Sequence, residues 1–196
     1  MPVNPVTGVS FVDFFDEPED TIKYYHSVLD KLEKNSDNFL VRMKPLPPQP
    51  FYSKFIDTNY SNRISQYLVE NEGPSGQTVA ESSLVIGDFI TSTIFIQCIY
   101  ANHPILLLVK KWPWFINDEA NEVFLKLKDA GVVQLIKDCN DKDLSSIFND
   151  PDDWWSQKIV VNAIDYYRSI YLPELPNEFH QWLNAIKTIK KYHATS

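Results

Sequence analysis

Glu81 and Ser82 stand just before the apolar run of residues 84–86, and Asp150, Asp152 and Asp153 stand just before Trp154 and Trp155. Both groupings put carboxylates at the start of a hydrophobic segment, where a helix N-terminus offers free backbone N–H groups and the positive end of its dipole. At the first, Ser82 reads as the N-cap of the segment that follows. At the second, the three aspartates with Trp154 suit a basic protein partner; their competing role is as cap and dipole partners of the helix that follows. The other chemistry-bearing residues are dispersed. His26, His103, His180 and His193 lack the short spacing of a zinc site, and Cys98 and Cys139 are 41 positions apart (139 − 98), so no metal is expected. The chain contains no nucleophile elbow, Gly-rich phosphate loop or HExxH pattern. Lys110, Lys111, Trp112 and Trp114 bring cations and aromatics together, and read as a turn at the edge of the core rather than a nucleic-acid contact.

Composition sets the frame around these residues. With 196 residues, 44% hydrophobic and 14% aromatic, the chain has too many large side chains to be wholly disordered. Eighteen Lys and Arg against 26 Asp and Glu give a net charge of -8, the wrong sign for collecting phosphates by counterion release. Neither a nucleic-acid partner nor an anionic membrane is expected. The longest apolar stretch, residues 84–109, is interrupted by Gly87, Asp88, Gln97, Asn102, His103 and Pro104, so it does not read as a membrane span. Only two cysteines and no leader-like opening point to a reduced, cytoplasmic protein. Cys98, within the apolar stretch 94–100, reads as a buried and inert thiol.

Periodicity supplies the elements. Residues 9–15 read as a buried strand, and Pro18 with its acidic neighbours opens a helix carrying Ile22, Tyr25, Leu29 and Leu32. Phe39, Val41 and Met43 alternate as a second strand, cut short by Pro45 and Pro47. Residues 67–70 and 77–80 flank the turn chemistry of 71–76 as a hairpin, and Ser82 is placed to cap a helix through Ile90. Beyond Thr91 helical spacing dominates. Ala120, Val123, Phe124 and Leu127 mark one helix, stopped by Gly131; residues 132–136 read as a short helix or a strand. Trp155, Ile159, Ala163, Tyr166 and Ile170 mark another helix, and Phe179, Trp182, Leu183, Ile186 and Ile189 a last one. The expected core includes Phe11, Leu29, Leu32, Val41, Val85, Phe124, Leu127, Ile159, Ala163, Trp182 and Ile186. The expected fold class is α+β, a mixed unit over residues 1–90 followed by an all-helical domain over 91–196.

That architecture, with the segment Val79-Ala80-Glu81-Ser82-Ser83-Leu84-Val85-Ile86 and a proline ahead of the Trp182-Leu183 pair, resembles the glutathione transferase superfamily. The resemblance implies a thioredoxin-like N-terminal domain and a glutathione-like ligand held by Glu81 and Ser82, with no other cofactor and with a homodimer admitted. Where that family places its catalytic hydroxyl or thiol, this chain has Phe14-Phe15-Asp16-Glu17-Pro18, and Ser65 stands in place of the family's cis-proline. The resemblance therefore implies weak or lost catalysis. The alternative reading is a small acidic binding module, an adaptor or immunity protein, that docks on a basic partner through Asp150, Asp152, Asp153 and Trp154.

Overall fold

Leu84-Val85-Ile86-Gly87 and Ile105-Leu106-Leu107-Leu108-Val109 are continuous buried runs with no polar alternation. That is the signature of parallel strands covered on both faces. A computed structural model describes residues 5–9, 18–34, 40–43, 79–90, 92–112 and 117–172. In it these runs are β3 (Leu84–Gly87) and β4 (Ile105–Val109), beside β1 (Pro5–Val9), β2 (Leu40–Met43) and β5 (Val133–Leu135). All five strands are parallel, in the order β2-β1-β3-β4-β5. The register pairs Val9 with Gly87 and Gly87 with Leu107, so β1 and β3 end side by side.

The helices are α1 (Pro18–Lys34), α2 (Thr93–Ala101), α3 (Asp118–Asp129), α4 (Asp141–Asn149), α5 (Pro151–Ser156) and α6 (Lys158–Tyr171). Right-handed crossovers send α1, between β1 and β2, to one face of the sheet. They send α2 and α3, on the path from β3 to β5, to the other. The contacts agree. Lys31 of α1 donates to Cys139 O at 3.1 Å and pairs with Asp141, just past β5. On the opposite side α6 packs on both α2 and α3, where Tyr167 lies edge-on to Phe95 and Phe124 with ring centroids 5.3 and 6.0 Å apart.

Local chemistry sets the boundaries. Ser92, Asn117, Asn140 and Asp150 each cap a helix by accepting a backbone N–H. Gly131 ends the stretch after α3 at φ +77, with Gly131 N–H donated to Lys128 O and Val132 N–H to Leu127 O. That double bond is a Schellman closure, which needs a left-handed residue at this point. Gly131 is therefore the stop that the sequence predicts, and α1 runs where its proline and apolar spacing place it.

Other expectations change. Residues 84–87 are a strand, not the helix expected after Ser82, because a short run buried on every side lacks the polar positions that separate the two periods. A strand occupies Pro5–Val9; of the strand expected at 9–15 only Val9 is described, and residues 10–15 lie outside the described residues. Past Thr91, where helical spacing dominates the sequence, the described residues also contain β4, which the spacing does not announce. The ambiguity at 132–136 resolves to β5 followed by a turn of 3-10 helix at Ile136–Asp138. One sheet crosses the expected domain boundary at residue 90, since β3 before it pairs with β4 after it. In the core, Leu29, Leu32, Val85, Phe124, Leu127 and Ala163 are buried as expected, whereas Ile159 is 55% exposed. Phe11, Trp182, Ile186, the catalytic-hydroxyl junction at 14–17 and Ser65, as well as residues 67–78 of the hairpin, lie outside the described residues, as does the side chain of Val41. Among the described residues no helix is long and apolar enough to cross a membrane.

Candidate functional site

Every strand of a parallel sheet points its carboxyl end to the same edge, and helices that follow strands begin there. The order β2-β1-β3-β4-β5 reverses direction at β1: the chain leaves β1 toward β2 on one side, and β3 flanks β1 on the other. Such a reversal opens a crevice between diverging connections at the carboxyl ends of β1 and β3. At this point β3 ends with Gly87, followed by Asp88 and Phe89. A Cβ at Gly87 would lie 2.7 Å from Leu107 Cδ2, so glycine leaves the space that the Leu107 side chain fills at the end of β3.

Asp88 is half-buried, and the Tyr25 hydroxyl donates to its Oδ2 at 3.1 Å. The neighbouring Tyr24 hydroxyl donates to Leu108 O. Two consecutive tyrosines in the early turns of α1 thus tie that helix to the ends of β3 and β4, and their rings lie 5.3 Å apart. Directly after β4 come the half-buried Lys110 and the exposed Lys111. Trp112 follows, anchored by Nε1 donating to Asn121 Oδ1 at 2.7 Å. The α2 N-terminus opens on the same edge, capped by Ser92 Oγ accepting Phe95 N–H at 3.2 Å, and its first turn carries no acidic residue. A carboxylate, two ammonium groups and a helix N-terminus therefore share one rim. That set is suited to a phosphate-bearing ligand with hydroxyls.

The residues singled out in the sequence fall elsewhere. Glu81 and Ser82 precede β3 and so stand at the opposite, amino edge. Glu81 is exposed. Ser82 is 6% exposed and donates its hydroxyl proton to Val79 O at 2.7 Å. His103 Nε2 lies 3.3 Å from Ser82 Oγ, so the hydroxyl is shared between the Val79 carbonyl and the imidazole. Burial holds the His103 pKa below its usual 6.5, opposed by the charge of Asp152. Asp150 caps α5, its Oδ1 accepting Asp153 N–H at 3.0 Å. Asp152 and Asp153 are exposed, but Trp154 is buried, its ring 5.5 Å from that of Trp155. The four do not present one docking face of carboxylates with an exposed ring. Cys98 is buried and its thiol is pushed up to about 12. Burial likewise raises Cys139 to about 11, against the pull of Lys31. Among the described residues no three His, Cys, Asp or Glu side chains are grouped to hold a metal ion.

The sequence reading passed over Asp88, Tyr25, Lys110 and Lys111 as site residues. The available signal was a Gly-Asp pair closing one apolar run and a Lys-Lys pair closing the next, the pattern of strands ending at a functional edge.

The model of the LIC12162 family transferases matches residues 12–186. The chain belongs to this transferase family. No curated protein matches it. Among solved structures the LIC12162-family chain is similar to one described as "Crystal Structure Analysis of the Glycotransferase of kitacinnamycin". The identity is 10% and the TM-score 0.48, over 85% of this chain and 39% of that one. This chain thus spans less than half the length of that protein. Membership of the LIC12162 family overturns the glutathione transferase resemblance and the thioredoxin-like expectation that came with it. The physical reason is local: the segment that resembled a glutathione-binding helix start runs into β3, so no helix N-terminus exists there to receive a carboxylate. The acidic-module alternative gives way to the same family match.

Proposed function

We propose that this transferase takes its group from a nucleotide-activated donor held at the carboxyl edge of the sheet. The observation that carries this is the reversal of strand order at β1, with Asp88 at the end of β3 and Lys110 and Lys111 at the end of β4. In this reading the two lysines and the α2 N-terminus bind the donor phosphates, which offsets locally the chain's net charge of -8. Asp88, steadied by Tyr25, accepts a hydrogen bond from a hydroxyl of the donor. A cytoplasmic setting belongs to the same reading, supported by two free thiols, one buried and one half-buried.

Calorimetric titration with nucleoside monophosphates, nucleoside diphosphates and nucleotide sugars tests this. Binding is expected to tighten from mono- to diphosphate, because the second phosphate adds charge-assisted contacts. Lys110→Met with Lys111→Met, and separately Asp88→Asn, should each weaken binding roughly ten- to a hundredfold, the value of a charge-assisted contact of about 1.5–3 kcal/mol. Absence of heat with every nucleotide, or binding indifferent to all three substitutions, refutes the assignment.

A further inference from the structure

A cleft of about 600 Å³ opens at the amino edge, across the sheet from the switch point. That volume lies within the roughly 300–1,000 Å³ of sites that take a small molecule. Among the described residues its walls are mostly apolar: Val79 before β3, Ile96 and Tyr100 on α2, and Leu172 after α6. The polar side-chain atoms belong to Gln97, Tyr100 and His103. Ile96 is 39% and Tyr100 70% exposed. Four positions apart on one helix, they set an aliphatic chain beside an aromatic ring.

The charge around this cleft decides what it suits. Burial holds the His103 pKa below its usual 6.5, so the imidazole in the wall is neutral at pH 7.5. Asp152, on α5, lies close enough to that ring to act on its charge, and the exposed Glu81 directly follows the wall residue Ala80. The cation at the end of α6 is offset where it stands: Arg168 pairs with Asp165 at 3.3 Å and donates from Nη2 to Ile99 O and Asn102 Oδ1 at 2.6 and 3.0 Å. Two carboxylates beside an exposed phenol ring attract an ammonium and repel a carboxylate, and the face of the ring adds a cation–π contact.

We infer that this cleft binds a small amphipathic amine, its apolar body against Val79, Ile96 and Leu172 and its ammonium drawn to the Tyr100 ring and to the field of Asp152 and Glu81. The site is on the opposite edge of the sheet from the proposed donor site and does not rest on it.

Calorimetric titration of the full chain with 4-phenylbutylamine, 4-phenylbutanol and 4-phenylbutyrate at pH 7.5 tests it, since the three share one apolar body and differ in the charge of the head. The amine is expected to bind, the alcohol roughly two- to fivefold more weakly and the carboxylate at least about tenfold more weakly, as the worth of exposed ion pairs implies. Asp152→Asn with Glu81→Gln, at two exposed positions, should bring the three affinities together. Ile96→Ser with Tyr100→Ser, also exposed, should weaken all three several-fold. The inference is overturned by no heat with the amine at millimolar concentration, by equal affinity for amine and carboxylate, or by binding that neither pair of substitutions moves. Displacement of the amine by a nucleoside diphosphate overturns it, since the amine would then sit at the carboxyl edge. A sedimenting dimer that Ile96→Ser with Tyr100→Ser dissolves overturns it too, a second copy then being the occupant.

Discussion

Replacing Gly87 by alanine sets a methyl carbon 2.7 Å from Leu107 Cδ2. Carbon atoms rest at about 3.5–4.0 Å, so Leu107 must retreat by roughly 1 Å. An exposed leucine would do this at little cost by changing rotamer. Leu107 has no exposed surface, and its strand neighbours Leu106 and Leu108 have none either, so the displaced methyl meets other packed side chains. Overpacking of this kind costs about 1–3 kcal/mol. At a urea dependence of about 2 kcal/mol per molar, the unfolding midpoint should fall by roughly 0.5–1.5 M with the slope unchanged. The cycle with Leu107→Ala separates this contact from a general loss of strand stability. Leu107→Ala alone leaves a cavity costing about 2–5 kcal/mol, but it also removes the carbon that the new methyl meets. The double variant should therefore be less destabilised than the sum of the two, by about 1 kcal/mol or more. Strict additivity, or a Gly87→Ala midpoint indistinguishable from that of the unsubstituted protein, would refute the packing of Leu107 into the space at Gly87. Asp88 follows directly, so the same substitution should weaken nucleotide binding even where the protein stays folded.

His103 has its pKa lowered by burial, so in acid the unfolded chain binds its proton more readily than the folded one. Its contribution to stability is complete above the unfolded value near 6.5 and is lost as the pH falls through the lower, folded value. Urea midpoints measured at pH 5 and pH 7.5 should converge in part in His103→Gln, and an unaltered pH dependence counts against the burial. Asp150 caps α5, so Asp150→Ala should lower stability by about 1 kcal/mol in a thermal or urea melt. Asp150→Asn, which keeps the accepting oxygen, should recover most of it, and equal losses in the two would show that charge rather than capping matters there.

The legible parts of this chain were those where a residue's own chemistry fixes the backbone. Pro18 with the acidic residues around it, then Tyr25, Leu29 and Leu32, announce α1, and Gly131 announces a left-handed stop because few other residues adopt φ +77. The sheet was far less legible. Five consecutive apolar residues in β4 and four buried ones in β3 show no period of two, since both of their faces are covered. Three-residue β5 is too short to declare itself. Reading β3 as a helix gave Ser82 a supposed function at the start of a helix, whereas the residues that follow it form a strand.

The same topology explains why the candidate site had to be missed by motif. Tyr25 and Asp88 are 63 positions apart, and no spacing rule joins them. They meet because α1 starts where β1 ends, β3 ends beside β1, and all strands run the same way. In a parallel sheet the carboxyl edge collects helix N-termini and the residues just after strands, while the amino edge collects helix C-termini and the residues just before strands. Asp88, Lys110 and Lys111 come after strands; Glu81, Ser82 and His103 come before them. The electrostatics follow that division: one carboxylate, two lysines and a helix N-terminus with no acidic residue in its first turn lie on the first edge, and a buried serine, an imidazole with a lowered pKa and an apolar cleft lie on the second. The proposed phosphate-bearing donor suits the first edge by charge, so a substitution of Glu81 or Ser82 on the second should leave its binding intact.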